Sequence, residues 1–123
     1  MAIITSHNAP IASGQTTAGD TNILDRGTQN WDNPAMVILV TTIGATPTAT
    51  FSAILGSVDN VTYYPLPYAD SATPGTVTSA VIGTITTAQT KTMYLQPACW
   101  RYLKINISAV TNVTSTITAF SGE

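Results

Sequence analysis

From Ala35 onward the chain alternates apolar and polar positions, interrupted at short intervals by turn-forming residues. In "WRYLKINIS", Leu103, Ile105 and Ile107 fall on one side and Tyr102, Lys104 and Asn106 on the other. In "VTSTITAF", Val113, Ser115 and Ile117 oppose Thr114, Thr116 and Thr118. In "TATFSAIL", Phe51, Ala53 and Leu55 oppose Thr50, Ser52 and Ile54. A period of two is what a half-buried strand requires, because successive side chains point to opposite faces of a sheet. "AMVILVTTI" differs. It is a continuous apolar run of strand length, which predicts a strand covered on both faces. "VTYYPL", "VTSAVIGTIT" and "KTMYLQP" are further strand candidates, and no segment offers a convincing amphipathic helix. The pattern predicts an all-β fold, an antiparallel β-sandwich. A small closed β-barrel is the alternative, because alternation does not distinguish the two closures.

The N-terminal third reads differently. "SHNAPIASGQTTAGDTN" and "RGTQNWDNPA" are rich in Gly, Asn, Ser, Thr and Pro, which favour turns. One short apolar piece, "NILDR", interrupts them as a possible strand. The organisation expected is a loop-rich, extended N-terminal arm over residues 1–34 and a β-sandwich domain over 35–123.

Composition changes the picture in one respect. The chain is 44% hydrophobic but only 8% charged, whereas soluble domains average roughly 25% charged residues. Threonine, about a fifth of the residues, supplies much of the polarity, and its branched, hydroxyl-bearing side chain suits a pleated surface. So weakly charged a surface is sticky, and burial in an assembly follows as the first expectation. The four cations, Arg26, Lys91, Arg101 and Lys104, are too few for the phosphate-neutralising stripe of a nucleic-acid binder. No apolar run of about 18 residues offers a membrane span. The opening "MAIITSHNAP" has no charged segment followed by an apolar one, unlike a secretory signal, so synthesis in a cytoplasm is expected. Cys99, the single cysteine, has no internal disulfide partner and is expected to be a buried small hydrophobe.

The densest stretch is "LGSVDNVTYYPLP", Leu55 to Pro67. Asp and Asn tolerate left-handed backbone and bond their own main chain, so Asp59 and Asn60 predict a hairpin turn. Tyr63 and Tyr64 then point to opposite faces, and Pro65 and Pro67 end the pairing or mark an edge. Gly56, Ser57, Asp59, Asn60, Tyr63 and Leu66 together resemble an SxDGxxWxxL hairpin common in small β-sandwich structural proteins of tailed bacteriophages. Those proteins often close with an aromatic-Arg-Tyr strand and a final Thr-rich strand. Trp100, Arg101 and Tyr102, followed by "LKINISAVTNVTSTITAF", are similar. The resemblance covers roughly residues 35 to 120 and departs at Asn60, where Gly is usual, and Tyr63, where Trp is usual. It implies a virion structural protein, foremost a capsid decoration or cement protein. That protein would be made in the host cytoplasm, form a homo-oligomer (expected to be a trimer), and bind the major capsid protein or another virion protein.

Candidate chemistry is thin. His7 lies in the polar N-terminal segment, with no anchored nucleophile beside it. One His and one Cys do not make a zinc site. Asp20, Asp25, Asp32, Asp59 and Asp70 all lie in or beside turns, where Asp is favoured for backbone reasons. No enzyme, cofactor or metal is expected. The partner-contacting residues expected are Ile3, Ile4, His7, Ile11 and Trp31, all in the arm. Deleting Met1 to Thr21 is then expected to abolish binding and leave the sandwich folded. The alternative function is a carbohydrate- or host-surface-binding module of a tail or fibre, which predicts an exposed aromatic row at Tyr64, Tyr68 and Tyr102.

Overall fold

The computed structural model describes residues 3–5, 8–27 and 35–121. Among the described residues there is no helix. The strands in chain order are β1 (Ile3–Thr5), β2 (Asn8–Gln15), β3 (Gly19–Asp20), β4 (Ile23–Asp25), β5 (Ala35–Phe51), β6 (Leu55–Ser57), β7 (Tyr64–Pro65), β8 (Tyr68–Asp70), β9 (Val77–Thr78), β10 (Gly83–Ile85), β11 (Gln89–Leu95), β12 (Tyr102–Lys104) and β13 (Asn106–Ser121). The smaller sheet runs β1-β4-β12-β6-β7. The larger runs β2-β13-β5-β11-β8-β9, with β10 also on β5 and β3 also on β13. Pairing is antiparallel except between β1 and β4. Neither sheet closes on itself, so the chain is an antiparallel β-sandwich and not a barrel.

The two longest strands, β5 and β13, pair from Ala35↔Ser121 to Ile107↔Phe51 and form the spine of the larger sheet. Their register shifts between Thr111↔Thr48 and Val113↔Ile43, so residues 44–47 bulge out. Thr46 and Asn112 take left-handed backbone there (φ 45° and 53°), and the Asn112 amide donates to the Ala45 carbonyl. An inserted loop of this kind bends the strand without ending it. Hence "AMVILVTTI" and the first four residues of "TATFSAIL" join in one strand.

Between the sheets lies one core. Val37, Leu39, Phe51, Met93, Ile107 and Ile117 enter it from the larger sheet, and Leu24, Ile54, Leu66, Trp100 and Leu103 from the other side. The alternation read in "WRYLKINIS" and "VTSTITAF" holds: Leu103, Ile105, Ile107, Val113, Ser115 and Ile117 are buried. In "TATFSAIL" it holds through Ala53 and then fails. Ile54 is buried and Leu55 half-buried, because residues 52–54 are not strand and carry the chain from the larger sheet to the smaller, which resets the phase.

The N-terminal segment departs most from expectation. Residues 8–27, assigned to an arm outside the sandwich, are part of it. β2 and β3 pair with β13, and β4 lies between β1 and β12. Ala9, Ile11, Ala12, Ile23 and Leu24 are buried. Turn residues dominate here because the strands are short and the chain reverses between them, as near Gly19 (φ 141°) between β2 and β3, not because the segment is loose. Removing Met1 to Thr21 would take away β2 and β3, so that deletion cannot leave the sandwich intact.

Candidate functional site

The hairpin between β6 and β7 forms as a tightly bonded turn. Ser57 Oγ accepts from the Asn60 N–H (2.9 Å) and donates to Asp59 Oδ1 (3.0 Å), which in turn accepts from the Val61 and Thr62 N–H groups (2.9 and 3.0 Å). Those amide bonds, Thr62 foremost, hold the Asp59 carboxyl below its ordinary pKa. Asn60 takes the left-handed conformation (φ 61°) that Gly would fill. The two tyrosines diverge as expected. The Tyr63 hydroxyl donates to Asn60 Oδ1 on the outside, while Tyr64 packs against the core and donates to the Cys99 carbonyl. Every polar group of the motif that bonds does so within the loop or to the adjacent chain, so the stretch is a structural turn.

Beside it, the face of β12 away from the core carries Tyr102 and Lys104, alternating with buried Leu103. Lys104 Nζ bonds Asp20 Oδ2 of β3 at 3.0 Å and lies 4.3 Å above the Tyr63 ring. Asn106 donates to the same carboxylate at 2.8 Å. Arg101, one residue before β12, makes a two-pronged contact with Asp25 of β4 at 2.8 and 3.2 Å. This guanidinium, chiefly through its hydrogen bonds and helped by the Gly27 N–H, holds Asp25 below the usual carboxylate range. Burial pushes Tyr63 up, reinforced by the charge of Asp20.

Sequence reasoning missed Arg26. It is buried, with its guanidinium 3.5 Å from the centre of the Trp100 ring and Nε donating to the Trp100 carbonyl at 2.8 Å. Together with the Lys91–Asp70 pair, all four cations are engaged within the chain. The carboxylates Asp20, Asp25 and Asp70 each hold a cation, and Asp59 holds amides. Asp20 and Asp25 clamp the N-terminal strands β3 and β4 to Lys104 and Arg101, Asp70 ties β8 to β11, and Asp59 braces its own hairpin; none is poised across a cleft from another as acid and base. Among the described residues no group of three His, Cys, Asp or Glu side chains gathers to hold a metal.

The expected site residues are scattered. Ile3 is 53% exposed on β1. Ile4 lies on the same strand, and its side chain, like His7 and Trp31, is outside the described residues. Ile11 is 1% exposed and belongs to the core, so it is not a contact residue. The aromatic row does not form. Tyr68 is buried in the larger sheet with its hydroxyl on the Ala80 carbonyl (3.2 Å), Tyr64 packs inward, and only Tyr102 stands on the outer face of the smaller sheet. Cys99 is exposed, not buried, because residues 96–101 follow β11 as an irregular connection and not as a strand.

A second face is conspicuous. On the outside of the larger sheet, register places Phe120, Met36 and Tyr94 in one row, Thr118, Ile38 and Thr92 in the next, and Thr116, Val40 and Thr90 in a third. "AMVILVTTI" was expected to be covered on both faces. Instead Val37 and Leu39 are fully buried while Val40 is 37% exposed and Met36 and Ile38 are half-buried. Where β5 and β13 bulge, a shallow hollow of about 390 Å³ opens between Thr16, Ile43, Asn112 and neighbouring threonines.

What these features define is a two-layer β-sandwich whose charged side chains, among the described residues, are tied up in holding it together and whose larger sheet presents an uncharged outer face. No family model matches the chain, and no curated protein matches it in sequence. A solved structure does match in fold. The crystal structure of the SPBc2 prophage-derived protein YomS superimposes with a TM-score of 0.64 over 91% of this chain and 88% of that one, at 9% identity.

Proposed function

We propose that this chain is a phage virion structural protein, acting without catalysis as a capsid decoration or cement protein. The observation that carries the reading is the end-to-end likeness of fold to a prophage-derived protein, reached independently of the hairpin and Trp-Arg-Tyr resemblance. Two features support a structural role. Among the described residues the charged side chains are engaged within the molecule, all four cations included, so little is left to bind nucleic acid. The outer face of the larger sheet is uncharged and suited to burial against protein. Decoration would work by numbers: many copies, each making modest contacts with the major capsid protein and with one another, reinforce a shell through avidity.

Contact with the shell is assigned to the extreme N-terminus and residues 28–34, with Ile3, Ile4, His7 and Trp31 as the touching side chains. Purified virions should contain the chain, and virions lacking it should take it up from solution in a co-sedimentation assay. The double substitution Ile3→Asp, Trp31→Ala should abolish uptake while leaving the circular dichroism spectrum unchanged. Virions free of the protein would refute the virion assignment. Undiminished uptake by the double variant would refute the contact assignment.

A further inference from the structure

We draw no further inference here: the strongest candidate, the uncharged outer face of the larger sheet around Ile38 and Val40, carries nothing because nothing in the structure shows what covers it.

Discussion

Gly56 offers a sharp test of why the hairpin residues occur together. A Cβ built on Gly56 would lie 2.7, 2.8 and 2.9 Å from Cδ2, Cδ1 and Cγ of Leu66. Real carbon contacts sit near 3.5 to 4.0 Å, so Gly56→Ala forces Leu66 to move. A flexible side chain at a surface would swing away. Leu66 is 1% exposed and enclosed by the core, and Cγ as well as the methyls is too close, so a change of rotamer is not enough. Overpacking of this kind costs about 1–3 kcal/mol. For a domain of this size that is a fall of about 3–6 °C in Tm per kcal/mol. Leu66→Ala alone opens a cavity and costs about 2–5 kcal/mol. Combined, the new methyl occupies part of the space the leucine vacates, so the double variant should be about 1–2 kcal/mol more stable than the sum of the singles predicts. Urea denaturation of the four proteins, read as a double-mutant cycle, measures that coupling. Gly56→Ala within 0.5 kcal/mol of the parent, or strict additivity, would refute the claim that the glycine is there to admit the leucine.

Two further outcomes follow from the clamps. Arg26→Ala should destabilise by about 3–5 kcal/mol, since it removes a desolvated cation–π contact and leaves the buried Trp100 carbonyl without that donor. Arg26→Lys should recover less than half, because an ammonium cannot stack flat on the indole; a full recovery by Lys in thermal melts would contradict this geometry. Asp25 titrates below its unfolded value because of Arg101, so its contribution is present above about pH 4 and is lost as the pH falls through its lowered folded pKa. Asp25→Asn should thus lower stability at pH 7 and flatten the acid limb of a stability–pH profile, and an unchanged acid limb would remove Asp25 from the account.

How far the sequence carried the fold depended on whether a strand stays in one sheet. "VTSTITAF" lies wholly within β13, so its parity matched burial residue by residue. "TATFSAIL" spans a passage between layers, and no local pattern marks where one phase ends and the next begins. β4 was legible, since "NILDR" brackets Ile23–Asp25, but β2 and β3 were not: β3 is two residues long and shows no period, and Gly, Pro, Ser and Asn in "NAPIASGQ" mask β2. The hairpin was legible because Asp59 and Asn60 act on their own backbone. The clamps were not, because Asp20 and Lys104 are 84 residues apart and Arg101 and Asp25 76. The only hint was scarcity: in a chain with four cations, each has a specific partner.

That scarcity also links fold to function. A small sandwich in isolation needs surface charge to stay apart from its copies, and this one places its charges where they serve its own strands. Arg101 and Lys104 pin the N-terminal strands β4 and β3 to β12, Lys91 ties β11 to β8 and Arg26 stacks on Trp100, leaving the broad face of β13, β5 and β11 with uncharged side chains. Such a distribution costs solubility if the chain works alone, and costs nothing if the face is covered. The outer positions of β5, Met36, Ile38 and Val40, are more apolar than a solvent-facing strand requires, and the proposed burial in an assembly would account for them.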